Sequence, residues 1–278
     1  MKNTDDKFRT ALFERDLQRL SQLRLMDDDF FSEVLDGKIV AVEFILHTIL
    51  ERTDVRVRRT AAQVEYRSAV KRSIKLDIWA EDFAGRIMDI EIQRADRGSE
   101  VKRARYHSSM IDRALLSKGE DFEDLSDTYV IFITENDKFA AGKPLYHIER
   151  TIEELGNTSF GDGSHIIYVN GSFQDTADPV GRLMHDFHCR NADDILNPIL
   201  AEEVRALKET EGGKRHMCRL LEEMREEATH EQAVEAAIRM LDDHLPFEKI
   251  VLYSGLSAAE IRELEVKSRE LKEPDPLI

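Results

Sequence analysis

The chain has 278 residues, with 40 Lys or Arg against 56 Asp or Glu and a net charge of −16. At 41% hydrophobic and 35% charged it can bury a real core, while its two cysteines, Cys189 and Cys218, are too few for a disulfide framework. No apolar signal run opens it and no stretch is long enough to span a bilayer, so a cytoplasmic protein is expected.

Residues 7–26 place Phe8, Leu12, Phe13, Leu17, Leu20 and Leu23 at near-helical spacing. After the Asp36-Gly37 break a second helix is predicted from Lys38 to Arg52. It contains the most apolar stretch of the chain, Ile39 to Leu50, which is interrupted by Glu43 and His47. Three strand-like segments follow. DVRVRRTAAQVEYRS is rich in β-branched residues and arginine, SIKLDIWAED alternates with a period of two, and RIMDIEIQ alternates again. DFAG joins the last two as a tight hairpin, with Gly85 free to take positive φ. A helix from about Glu100 to Leu116 ends at Lys118-Gly119. DTYVIFIT has the near-continuous apolar character of a buried strand, and HIIYVNGS is another. LYHIERTIEEL, between them, has no clear assignment. From Pro179 onward the pattern is helical, with turn signals at Asn197-Pro198, Gly212-Gly213 and Leu245-Pro246. Consecutive strands flanked by helices predict a mixed α/β core, and nucleotide-cradling glycine motifs are absent. The boundaries expected are an N-terminal helix over 1–27, a core over 28–195 and a helical tail over 196–278.

Charge is unevenly spread. Only residues 52–118 are basic, with 16 basic against 10 acidic side chains, so an acidic protein can still present a basic working face. Within that block the hairpin sets Asp77 roughly across from Glu91. Gln93 and Asp89 lie two residues either side of Glu91 and share its face. Paired carboxylates with water and a phosphate oxygen suit a hard cation such as Mg²⁺ or Mn²⁺. Spacing alone favours the plainer reading, solvent-facing strand positions opposite Lys75 and Arg94, since paired carboxylates are common on exposed sheet faces.

LDIWAEDFAGRIMDIEIQ followed by KRARYHSSMID resembles the PD-(D/E)XK nuclease-family transposases, also called the Rpn recombination-promoting nucleases. The similarity starts near Met26 and continues in order through RALLSKGEDFEDLSDTYVIFITENDKF, PLYHIERT, FGDGSHIIYVNGS and the tail, covering most of the chain. It implies a restriction-endonuclease-like core with an α-helical C-terminal extension. It also implies Mg²⁺-dependent (or Mn²⁺-dependent) hydrolysis of DNA. Carried over by position, Asp77 is the motif's aspartate and Glu91 its second acid. Glu43 is the additional acid that this superfamily often supplies to the metal from a preceding helix. Leu76 stands in place of the motif's proline and Gln93 in place of its lysine. Glutamine is usual there in this family, and its neutral amide orients water without supplying charge. The catalytic set is therefore Asp77, Glu91 and Gln93, and the metal set Glu43, Asp77 and Glu91.

Lys102, Arg103, Arg105 and Tyr106 open the following helix. Arg103 and Tyr106, three apart, share a face, and the resemblance implies that Lys102, Arg103 and Tyr106 contact DNA; spacing alone allows ordinary ion pairs. His185, His188 and Cys189 have helical ligand spacing but lack the paired knuckles of a zinc site, so packing and capping are expected. FGDGSH reads as a turn. In the tail, PFEKIVLYSGLSAAEIRELE reads helix, Gly255 turn, helix, with Ser257 and Glu260 forming a capping box. This is a helix-turn-helix-like end, but Glu260, Glu263 and Glu265 surround Arg262, which favours protein packing, with a homodimer through the tail as the expected assembly. The expected function is a metal-dependent DNA endonuclease linked to recombination or mobile elements. The alternative is a catalytically weak or silent DNA-binding or regulatory protein that keeps the fold.

Overall fold

The structure, a computed structural model, describes residues 2–67, 72–94 and 100–272. Residue 68, at the end of the first predicted strand, and residues 273–278 of the predicted tail lie outside these. Two compact units emerge: Leu17–Lys214, and the residues up to Asp16 together with those from Arg215 onward.

The elements, in chain order, are α1 (Lys2–Gln22), α2 (Asp28–Leu35), α3 (Ile39–Leu50), β1 (Val57–Tyr66), β2 (Ile74–Asp82) and β3 (Ile87–Gln93). Then come α4 (Val101–Leu115), β4 (Thr128–Thr134), β5 (Leu145–Ile148), β6 (Thr151–Ile152), β7 (Thr158–Ser159) and β8 (Ser164–Asn170). The chain continues as α5 (Pro179–His188), α6 (Pro198–Lys208), α7 (Glu211–Asp242), α8 (Phe247–Ser254) and α9 (Ala258–Lys272). This is the mixed α/β core with a helical C-terminal extension that the sequence predicts.

Six strands of the larger unit form one sheet in the order β1-β2-β3-β4-β8-β5. β1, β2 and β3 are antiparallel, β3, β4 and β8 parallel, and β5 antiparallel to β8. A parallel β3–β4 pair needs a crossover, and α4 supplies it. Centrally placed β3 and β4 are covered on both faces; β4 accordingly reads as a near-continuous apolar run, whereas β3 alternates and carries Asp89, Glu91 and Gln93 on one face. On one face Ala104, Met110 and Ile111 of α4 pack against Val130, Phe132 and Tyr168, with Phe132 and Tyr168 stacked at 5.5 Å. At the hairpin turn Gly85 has φ +80, and the Asp82 carboxylate accepts from the Ala84 and Arg86 amides.

Three expectations change. The first predicted helix stops at Gln22, and α2 begins separately at Asp28. Asp27 closes the intervening turn by accepting from the Arg24 amide, and Asp28 and Asp29 sit in the first turn of α2, where the helix dipole favours acids. The boundary expected at 195/196 gives way to one at Lys214, because α6 buries Leu200, Ala201 and Val204 within the larger unit. Gly212-Gly213 is no break but the first turn of α7. A Cβ on Gly213 would stand 2.2 Å from the Ala206 carbonyl, so glycine is required there by close approach.

In the smaller unit, Ala237 of α7, Ile250 of α8, Leu256 and Ile261 of α9 form a core. Gly255 ends α8 at φ +74, and Ser257 and Glu260 exchange the two bonds of a capping box. Among the described residues no helix is long and apolar enough to cross a membrane.

Candidate metal centre

β2 and β3 pair from Glu81↔Ile87 to Ile78↔Ile90. One step further, at Asp77 and Glu91, carboxylates replace the backbone ladder. Asp77 Oδ2 accepts from the Ile92 amide at 2.9 Å, and Glu91 Oε1 accepts from the Asp77 amide at 3.1 Å. Two acids are thus fixed face to face where the hairpin opens. On the other side of β2, the residue opposite Asp77 also leaves the ladder. Gln63 lies between the pairs Ala62↔Ile78 and Val64↔Leu76, takes φ +55, and donates from Nε2 to Ser32 Oγ on α2 at 2.6 Å. A left-handed non-glycine residue costs about 1–2 kcal/mol, and such positions cluster at functional sites.

Asp28, in the first turn of α2, comes against Asp77. Burial, then Glu91 and Asp28, push the Asp77 carboxyl well above its ordinary value. Burial and Asp89 do the same to Glu91, against the opposing pull of His107 and Arg103. Asp89 and Glu91 are both 0% exposed. Burial and the Asp77 charge raise Asp89 too. His107, on the buried face of α4, lies 3.0 Å from Asp89 Oδ2 through Nδ1. Arg103 donates from Nη2 to Glu91 Oε2 at 2.9 Å and from Nε to His107 Nε2 at 3.3 Å. Because an arginine can only donate, His107 accepts at Nε2 and carries its proton on Nδ1, toward Asp89. Burial, against the pull of Glu91, lowers the His107 pKa from its ordinary value.

The structure brings Asp77 and Glu91 together and does not bring Glu43 to them. Glu43 accepts from Arg56 Nη1 and from the Val57 amide, both at 2.8 Å, pinning the start of β1. Asp28 stands where Glu43 was expected. Gln93, the last residue of β3, is half-buried and two residues beyond Glu91. Lys102 is exposed, whereas Arg103 is committed to Glu91 and His107, and the Tyr106 hydroxyl donates to the Arg72 carbonyl. Arg103 and Tyr106 therefore do not form one open phosphate-binding face.

Two participants, Asp28 and His107, were not singled out from the sequence. The Asp27-Asp28-Asp29 run before Phe30 and Phe31 is a signal for the first. The second follows Arg103 by four residues, on the same helix face. Elsewhere, His185, Asp186 and Cys189 cluster, but Asp186 spends both oxygens on the Leu196 and Asn197 amides. Burial with Asp186 and Asp194 pushes the Cys189 thiol up to about 11, away from the thiolate a zinc site needs.

An antiparallel hairpin opening onto paired carboxylates, followed by a helical crossover to a parallel strand, defines a nuclease core of the PD-(D/E)XK class. Residues 24–175 match the family described as PD-(D/E)XK nuclease family transposase, and the chain belongs to that family. No curated protein and no solved structure matches the chain. Membership carries a nuclease- or transposase-related role, with phosphodiester hydrolysis as the general chemistry and DNA as the implied substrate. Such nucleases generally use divalent metals, and the residues present fit one. The donors are hard carboxylate oxygens, Asp77, Asp89 and Glu91 are buried facing one another while Asp28 is exposed, and Asp89 Oδ1 has no hydrogen-bond partner among the described residues.

Proposed function

We propose that the protein is a divalent-cation-dependent endonuclease that hydrolyses DNA phosphodiesters, with Mg²⁺ or Mn²⁺ held by Asp77, Glu91 and Asp28. The observation that carries this reading is the Asp77–Glu91 pair, fixed by reciprocal bonds to each other's strand at the point where the ladder ends. Structural acids in a sheet have no reason to face one another in a buried place; cation ligands do. A bound cation lowers the pKa of water and neutralises charge on the scissile phosphate. Asp77 and Glu91, held by backbone amides, would hold such a cation without reorganising, each as the carboxylate. Gln93 orients the attacking water by hydrogen bonding. Exposed Lys102 and Arg105 on α4 contact the DNA backbone. A homodimer through α7–α9, where Leu252 and Tyr253 of α8 are exposed, would bring two sites to one duplex. Recombination or mobile-element processing is the setting that suits such a cutter.

Gln93 in the lysine position favours one second reading, a DNA-binding or regulatory protein with little or no cleavage. Supercoiled plasmid incubated with Mg²⁺, Mn²⁺ or EDTA, beside Asp77→Ala and Glu91→Ala, separates the two. Metal-dependent nicking lost in both variants is expected. DNA binding without nicking under any metal would overturn the enzyme in favour of the second reading.

A further inference from the structure

Behind the Asp77–Glu91 pair lies a second group of potential ligands. Nδ1 of His107 is 3.0 Å from Asp89 Oδ2 and 3.9 Å from Glu91 Oε1, and one ligand atom from each residue falls within 4.8 Å of the others. Around a cation with ligands at about 2.1 Å, adjacent octahedral ligands stand about 3 Å apart and opposite ones about 4.2 Å. The three atoms already span that range, so small side-chain rotations would close them on an ion. An independent observation points the same way. Asp89 is wholly buried, and its Oδ1 meets no donor among the described residues. The neighbouring Glu91 carboxylate can serve it only through a shared proton.

We propose that Asp89, Glu91 and His107 form an inner cation site, sharing only Glu91 with the outer Asp77–Asp28 position, and that it takes a divalent transition metal of the Mn²⁺ type in preference to Mg²⁺. The proposal deepens the nuclease reading and rests on it for its catalytic meaning. The preference follows from the donors. Mg²⁺ gives up its waters reluctantly and seeks oxygen, whereas this site is buried and offers an imidazole nitrogen, which a divalent transition metal accepts more readily than Mg²⁺ does. The proton balance is simple. The cation takes the Nδ1 lone pair and the ring proton moves to Nε2. Arg103 Nε then loses its acceptor and turns away while Nη2 keeps Glu91 Oε2. Any proton on the ligating carboxyls leaves to solvent. Arg103, one-third exposed, is where the group meets water and where an ion would enter.

The test uses the full chain stripped with EDTA and then loaded with Mn²⁺ in a large excess of Mg²⁺. Pulsed electron paramagnetic resonance reads whether the retained Mn²⁺ carries nitrogen coupling from a histidine. The wild-type protein is expected to retain one nitrogen-coupled Mn²⁺. His107→Gln should abolish the coupling, and Asp89→Asn should weaken retention by about tenfold or more. Absence of nitrogen-coupled Mn²⁺ in the wild type overturns the site without any variant having to fold. So does coupling that persists unchanged in both variants. The two readings fail separately. Metal-dependent plasmid cleavage lost in Asp77→Ala, with no nitrogen coupling, sinks the inner site alone. Nitrogen coupling lost in His107→Gln in a protein that cuts nothing supports the inner site and sinks the nuclease.

Discussion

At the closed end of the β2–β3 hairpin Asp82 is 1% exposed and accepts from two backbone amides and from Arg86 Nε at 2.6 Å. Arg86 also reaches Asp54, which Arg52 grips with two further bonds. Arg52 first and Arg86 second hold the Asp54 carboxyl far below its usual range. At the open end Asp77, Asp89 and Glu91 are buried too, but they face one another, and Arg103 donates to Glu91. Burial does not separate the two ends. Counter-charge does. At the closed end this chain supplies the partner of the acid; at the open end the acids face one another, and the proposed cation would be their partner.

The largest stability effect expected is at the closed end. Asp82→Ala removes the buried partner of Arg86, leaving it only the exposed Asp54, and should cost about 3 kcal/mol in a urea titration, the usual scale for breaking a buried pair. A loss below about 1 kcal/mol would erase the contrast between the ends.

The next effect is at the open end and depends on pH. Burial and the facing acids push Asp77 up to about 9 and Glu91 up to about 8. The folded protein therefore binds more protons than the unfolded chain between the ordinary carboxylate values near 4 and those raised ones. Without cations, stability must fall as pH rises through that window. Thermal melts in EDTA should show lower midpoints at pH 8 than at pH 5, and Asp77→Asn should flatten the dependence. An Asp77→Asn melt curve that follows the wild type across the window would show that the carboxyl is not opposed as described.

The smallest effect is at Glu43. Glu43→Ala removes one amide cap and one arginine contact, and should cost about 1 kcal/mol while metal-dependent nicking survives. Loss of nicking in a well-folded Glu43→Ala protein would return this residue to the metal set.

Much of this was legible in the sequence, for reasons tied to period and turn chemistry. The two alternating strands joined by DFAG fix the antiparallel register, and register alone sets Asp77 against Glu91. DTYVIFIT announces a doubly covered strand by its composition. What stayed hidden depends on packing. An eight-residue α2 is too short for helical periodicity to mark, so Asp28 looked like a boundary residue. The acid that joins Asp77 could not be told from Glu43, since both lie on helices before the sheet and only docking chooses between them. His107 sits within KRARYHSSMID, but its place beside Asp89 and Glu91 emerges only when α4 lies across β3. Gly212-Gly213 looked like a turn because the sequence cannot show the carbonyl pressing on it.

Gln63 puts two incompatible demands on one position. Its backbone favours glycine, asparagine or aspartate, the residues that tolerate φ +55, while its tie to Ser32 needs an amide at the end of a two-methylene arm. Glycine would relax the strand and release α2, asparagine would fall one carbon short, and aspartate would in addition bring another negative charge beside Asp77. Directed evolution of this chain for thermal tolerance should therefore find position 63 an easy gain in melting temperature, taken at the expense of the anchor that seats α2 and its Asp28.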